Sequence, residues 1–231
     1  MAERLDKLLA NTGRWTRSEA RAVIRAGRVT AAGQAVTAPE SKWEAGEIQV
    51  DGQPIGGGGF TYLMLNKPQG VVSATRDGRE RTVLDLLPGQ YRGLFPVGRL
   101  DKDTEGLLLL TDDGPLAHEL LAPRKHVDKV YRVTVDGELD EGDVAALAAG
   151  LKLGDGLLCR PAELRLTERA QVGYLTLREG KFHQVKRMMA TLGKPVTALK
   201  RVALGKLTLD DKLPPGGFRP LTNEERKALG R

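Results

Sequence analysis

The chain has 231 residues, a formal net charge of +6, one cysteine and three histidines. That length holds one sizeable core, or a small domain beside a larger one, and the apolar and charged fractions of 40% and 29% are those of a globular protein. The lone Cys159 excludes an internal disulfide and a cysteine metal cluster; no apolar run approaches the roughly 20 residues that span a bilayer, and no apolar signal core follows the first residues, so a reducing cytoplasm is the expected compartment.

Leu5, Leu8 and Leu9 recur at helical spacing, which predicts a short amphipathic helix at the start. A second helix begins at Thr16-Arg17-Ser18-Glu19, a threonine-x-x-glutamate box that satisfies orphaned amides, and stops near Gly27. Within it Arg17, Arg21 and Arg25 fall four apart and form one stripe of guanidinium groups, while Ala20, Val23 and Ile24 face a core. Arg28-Val29-Thr30 and Gln34-Ala35-Val36 flank Ala31-Ala32-Gly33, a hairpin signal. Gly56-Gly57-Gly58-Gly59 reads as a linker, because four glycines resist ordering and pack nothing. The expected division is therefore residues 1–55, a linker at 56–60, and a larger domain at 61–231.

Residues 62–65 read as a strand ended by Asn66-Lys67-Pro68, and residues 82–87 as a short helical segment stopped by Pro88-Gly89. Next comes Gly98-Arg99-Leu100-Asp101, with Asp103 and Glu105 close behind, in front of the apolar run Leu107-Leu108-Leu109-Leu110. That run is a buried strand closed by the turn signal Asp112-Asp113-Gly114. A polar loop fixed by an apolar strand is a usual place for function. A helix follows at 115–121 with proline in its first turn, then a strand at 129–135 carrying Tyr131.

Val185, Met188, Met189 and Leu192 fall at i, i+3, i+4 and i+7, the core stripe of a helix ending at Gly193. At about 100° per residue Arg187 lies opposite that stripe and Lys186 on its flank. Lys186 is thus expected at a partly buried site, and Arg187 at solvent or phosphate. From Arg178 to Lys206 there are eight Lys or Arg against Glu179 alone, a local charge of +7 suited to a phosphate-binding face. Thr222 and Glu225 box the start of a last helix.

Gly98-Arg99-Leu100-Asp101, then Thr104, then Gly106 through Thr111, resembles the catalytic segment of RNA pseudouridine synthases, in the branch that modifies bacterial ribosomal RNA. Leu65-Asn66-Lys67-Pro68-Gln69-Gly70 resembles that family's opening motif, Lys129-x-Tyr131 its second, Glu179 through Met188 its third, and residues 204–209 with 213–221 its closing strand and turn. Arg4-Leu5-Asp6-Lys7, through Gly27-Arg28-Val29 to Asp51-Gly52, resembles the S4-type RNA-binding module. The resemblance implies an α+β fold: a small S4-type domain joined to a larger mixed, mainly antiparallel sheet flanked by helices.

It also implies isomerisation of one ribosomal uridine to pseudouridine, with no metal and no cofactor. Asp101 would be the catalytic carboxylate, Tyr131 would lie against the target uracil, and Lys186 would pair with Asp101. Arg99 would fill the space an extruded base vacates, and Arg17, Arg21, Arg25, Lys181 and Arg187 would contact RNA. Many relatives carry arginine where this chain has Lys186, and lysine lacks the planar two-point grip. Residues 182–188 resemble the small-subunit enzymes more than the large-subunit ones. The expected partner is therefore small-subunit ribosomal RNA, in a partly assembled subunit, bound by a monomer. The alternatives are a large-subunit enzyme, an assembly factor that binds RNA without catalysis, and a nucleosidase. Intact Asp101, Tyr131 and Lys186 argue against the second, and the arginine stripe against the third.

Overall fold

The computed structural model of the chain describes residues 2–12, 15–55, 60–91 and 93–231; the glycine run expected to act as a linker lies outside the described residues. In the N-terminal part the elements run β1 (Glu3–Arg4), α1 (Leu5–Asn11), α2 (Arg17–Arg25), β2 (Val29–Ala31), β3 (Gln34–Ala35), β4 (Lys42–Trp43), β5 (Ile48–Val50) and β6 (Gln53–Pro54). The capping box forms as its spacing requires: Glu19 N donates to Thr16 Oγ1 at 3.2 Å, and Thr16 N donates to the Glu19 carboxylate at 2.7 Å. Leu5, Leu9, Ala20 and Ile24 bury one face of the helix pair against Val29 and Ile48 of an antiparallel sheet ordered β3-β2-β5-β6.

The larger part contains β7 (Tyr62–Lys67), β8 (Phe95–Pro96), β9 (Glu105–Thr111), α3 (Gly114–Leu121), β10 (Lys129–Val135), α4 (Glu141–Ala149), β11 (Glu163–Leu166), β12 (Val172–Leu177), α5 (Gln184–Thr191), β13 (Val196–Leu204), β14 (Leu207–Thr208), β15 (Phe218–Pro220) and α6 (Asn223–Ala228). Its strands form one sheet in the order β11-β12-β10-β13-β9-β7-β15, with β14 on β13 and β8 on β9. The β13–β9 pair is parallel and the other pairs of this sheet are antiparallel. The expected α+β architecture, a small N-terminal unit followed by a larger mixed and mainly antiparallel sheet with helices, is the one observed. No helix among the described residues is long and apolar enough to cross a membrane.

Unbroken apolar runs build the centre of this sheet because both of its faces are covered. Leu107 and Leu109 of β9 join Tyr62 and Met64 of β7 in one cluster, while Leu108 and Leu110 join Leu63 and Leu65 on the opposite face. The parallel junction depends on one glycine. Gly106 has φ +104°, and a Cβ there would stand 2.2 Å from the Arg201 carbonyl oxygen, so only glycine lets β9 and β13 approach this closely.

Two boundaries differ from the sequence reading. β7 runs through Asn66 and Lys67 to the residue before Pro68, because both polar residues find backbone partners there: Asn66 N donates to Gly217 O at 2.9 Å, and the Lys67 ammonium donates to carbonyls. The expected turn at 112–114 is instead a helix start, since Asp113 caps α3 by accepting from Leu116 N at 2.8 Å.

Candidate active site

The loop between β8 and β9 is held from below by a buried lysine. Lys67 Nζ donates to the carbonyl oxygens of Pro68 (3.0 Å), Asp101 (2.9 Å), Lys102 (3.4 Å) and Thr104 (2.8 Å). Gly70 N donates to Lys102 O at 2.8 Å. Ser73 Oγ donates to Leu100 O at 2.9 Å and accepts from Leu100 N at 3.0 Å. Leu100 is buried between Arg99 and Asp101, so the loop is anchored by its apolar residue and presents its two charged ones outward. Burial pushes the Lys67 ammonium down to about 8, against the opposing pull of Asp103, Asp101 and Glu105.

The Asp101 carboxylate meets α5 from this loop. Lys186 Nζ lies 3.0 Å from Asp101 Oδ2 and also donates to Asp103. His183 Nε2 stands 3.6 Å from Asp101 Oδ1, on a residue in the left-handed region with φ 50°. Burial works to lower the Lys186 ammonium, but its hydrogen bonds to Asp103 and Asp101 outweigh this and hold it above the usual lysine range. The hydrogen bond from Lys186 in turn holds the Asp103 carboxyl below its ordinary value. The flank position expected of Lys186 is the geometry that lets its stem lie along α5 while its head reaches the loop.

These groups open on a cleft of about 810 Å³ whose lining includes Arg99, Asp101, Tyr131, His183, Lys186 and Arg201. Tyr131 comes from β10 and stands directly across from Arg201 of β13. Arg99 is exposed and makes no hydrogen bond or ion pair among the described residues. At the rim Phe182 is 76% exposed and stacks on the His183 ring at 3.8 Å.

The remaining cations expected at RNA are placed differently. Arg187 is half-buried, not free on an outer face: its guanidinium pairs with Asp155 and donates to Phe182 O at 3.4 Å. Helix periodicity gives the direction in which Arg187 points, but cannot anticipate a carboxylate arriving from another segment. Lys181 is likewise engaged, with Leu158 O and, at 3.3 Å, with Glu179. Arg17 and Arg21 bend toward the buried Asp6 at 3.4 and 3.0 Å, beside Arg4 at 3.1 Å, while Arg25 is exposed without an ion pair among the described residues. The Arg4 side chain is the largest influence holding Asp6 well below the usual carboxylate range. The +7 segment is also partly neutralised from outside, by Asp128 on Arg178 and by Asp140 and Asp143 on Lys194.

Sequence reasoning did not single out Ser73, His183 or Arg201, and reached Lys67 only as part of the motif Leu65-Asn66-Lys67-Pro68-Gln69-Gly70. Lys67 had a signal, a lysine at the end of an otherwise apolar strand and directly before proline; Arg201 had none, since its importance depends on which strands become neighbours.

The family profile described as RNA pseudouridylate synthase matches residues 61–191, and that of the S4 domain matches residues 3–43. A protein of Bacillus subtilis named as an uncharacterized RNA pseudouridine synthase is 47% identical over 98% of each chain. Proteins named ribosomal small subunit pseudouridine synthase A are similar over nearly the whole chain: that of Yersinia pestis is 42% identical over 98% of each chain, and that of Escherichia coli 41% identical over 96% of this chain and 97% of its own. A solved pseudouridylate synthase structure superposes with a TM-score of 0.71 at 37% identity, covering 98% of this chain and 99% of the other.

Proposed function

The chain belongs to the RNA pseudouridylate synthase family and carries an S4 domain, and from that premise we propose that it isomerises one uridine of small-subunit ribosomal RNA to pseudouridine, with Asp101 as the reacting carboxylate. The reaction needs no outside reagent. The C1′–N1 bond breaks, the base turns, C1′ is rejoined at C5, and a proton leaves C5 while one is taken up at N1. A carboxylate suits the task because it can add as a nucleophile and later depart.

The observation that carries this reading is the ion pair of 3.0 Å by which Lys186 holds Asp101 at the cleft, on a loop fixed in advance by Lys67 and Ser73. A carboxylate held in place before substrate arrives loses little reorganisation energy during reaction. Tyr131, lining the same cleft, would lie against the uracil. Extruding a stacked uridine costs a few kcal/mol, and Arg99, exposed and without an ion pair among the described residues, would enter the vacated space, where a guanidinium stacks on neighbouring bases. Residues 1–55 would form the accessory RNA-binding unit, tethered through residues 56–60 to the catalytic domain at 61–231, with Arg25 the cation of its stripe most available to phosphate. The names of the relatives at 41–42% identity support the small-subunit substrate. The chain would act as a monomer in the cytoplasm, on RNA in a partly assembled subunit.

Mapping pseudouridines in ribosomal RNA from a strain lacking this chain tests the reading. One small-subunit uridine should stay unmodified and be restored by the wild-type chain but not by Asp101→Asn. A lost site in large-subunit RNA would place the substrate there, and no lost site in either would overturn the proposal.

A further inference from the structure

The floor of the cleft carries a further cation, with no role in holding Asp101. Arg201 is 2% exposed, yet lines the cleft. Its Nε donates to Leu107 O at 2.8 Å, but Nη2 is buried without a hydrogen-bond partner among the described residues. A buried, unpartnered guanidinium nitrogen is costly and calls for a functional explanation. Arg201 is the cross-strand partner of Tyr131, so the two side chains stand next to each other on one face of the sheet.

Lys129, two residues before Tyr131, lines the same cleft. Its Nζ donates to Val127 O at 3.2 Å and has no carboxylate partner among the described residues; neighbouring Asp128 is committed to Arg178 at 2.8 Å. Burial first, and then repulsion from Arg201, holds Lys129 below the usual lysine range. Two cations close enough to repel, both next to one tyrosine and neither paired with a carboxylate among the described residues, form a site for negative charge brought by a ligand.

We infer that Arg201, with Lys129 at its side, forms a cationic floor that receives the carbonyl edge of the extruded uracil and holds the negative charge the base acquires when its C1′–N1 bond breaks. The inference rests on the isomerase reading. Depth favours the base over a phosphate: an extruded base reaches the floor beside Tyr131, whereas its phosphates stay with the strand at the rim, where Arg99 is exposed. Heterolysis leaves the C1′–N1 electron pair on N1, delocalised onto O2 and O4, while the Asp101 carboxylate takes up C1′. A guanidinium N–H aimed at a carbonyl oxygen binds the departing anion more strongly than the neutral base, which is how such a group accelerates a step. C5 then attacks C1′, the carboxylate departs, the C5 proton is lost, and N1 is protonated, so charge and atoms return to balance.

The test compares Lys129→Met and Arg201→Lys with wild type, on RNA carrying uridine or 5-fluorouridine at the target. Fluorine stabilises the base anion without help from the protein. Single-turnover rates at saturating protein would be read from digests analysed for the C5-linked nucleoside: pseudouridine from uridine RNA, and from 5-fluorouridine RNA the product that keeps fluorine at C5 and, with no C5 proton to lose, takes up water as a hydroxyl at C6 and a proton at N1. On uridine RNA both variants should lose at least about thirtyfold, with RNA affinity within about threefold of wild type. On 5-fluorouridine RNA the loss should shrink by about tenfold or more, a rescue that misfolding or a misplaced strand would not give. Should Arg201→Lys fail to fold, Lys129→Met carries the test. Equal losses on both substrates, or weaker binding with the saturated rate intact, would overturn the inference. A wild-type chain inert on ribosomal RNA would sink the isomerase reading and this inference with it, whereas an active wild type with indifferent variants sinks the inference alone.

Discussion

Lys186→Met removes the cation shared by Asp101 and Asp103 while keeping an apolar stem along α5. At the 3.0 Å separation of Lys186 Nζ and Asp101 Oδ2, the attraction is about 5 kcal/mol at an effective dielectric near 20. The two side chains are 25% and 29% exposed, and Asp103 at 68% competes for the same ammonium. Solvent screening and that competition reduce the figure to about 2–3 kcal/mol, well above the 0–1 typical of fully exposed pairs. The saturated rate should therefore fall about a hundredfold, because Asp101 and Asp103 are left to repel each other and the carboxylate proposed to react loses its position. The assay is single-turnover release of tritium from RNA labelled at C5 of uridine, with protein saturating, since isomerisation must expel the C5 hydrogen. Lys186→Arg should recover most of the rate. Arg187→Met, the neighbouring control, breaks the pair with Asp155 and leaves the cleft carboxylates untouched; its saturated rate should stay within about threefold. Any phosphate contact that Arg187 makes would appear as a salt slope smaller by about 1. A Lys186→Met protein within about threefold of wild type, or an exchange of the two phenotypes, would refute the reasoning.

Lys67 gives a pH-dependent expectation for stability. Its folded value is lowered to about 8 from 10.5, so between those two values the unfolded chain holds the proton that the folded chain has released, and stability rises with pH. Below about pH 8 both states are protonated and the term is flat. In urea unfolding, wild type should therefore gain on Lys67→Met between about pH 8 and 10.5, by on the order of 3 kcal/mol at most; no gain would mean that burial does not perturb this lysine. Deleting residues 1–57 should leave a folded larger domain that binds ribosomal RNA more weakly and with a shallower salt dependence, because the phosphate contacts proposed for Arg25 would be lost. Aggregation, or an unchanged binding curve at every salt concentration, would contradict the division of labour.

Local signals reached the elements well and the site only in part. The capping box at Thr16 and Glu19, the strand at 129–135 and the core stripe Val185, Met188 and Met189 were legible because each depends on residues close together in the chain. Lys186 was placed on the flank by the same periodicity, and the family resemblance supplied Asp101 as its partner. What the sequence could not express were pairings across the fold. Arg187 meets Asp155, Lys194 meets Asp140 and Asp143, and Arg21 meets Asp6, so charge summed along a segment overstated the free positive surface. Arg201 shows the same limit more sharply. Its place beside Tyr131 exists only once β13 lies between β10 and β9, and that junction in turn requires a glycine at 106. The loop of Asp101 was visible as polar residues before an apolar strand, but the lysine that fixes it sits on a different strand.

The central claim is that Asp101 performs the chemistry and is not merely one anchor for Lys186. The most direct measurement is tritium release from C5-labelled small-subunit ribosomal RNA by Asp101→Asn, with binding of the same RNA measured in parallel. The substitution keeps the size of the side chain and removes its charge. RNA affinity should stay within about threefold of wild type, melting should remain cooperative with a modestly lowered midpoint from the lost pair with Lys186, and no tritium should be released above background. Turnover by Asp101→Asn within about tenfold of wild type would contradict it.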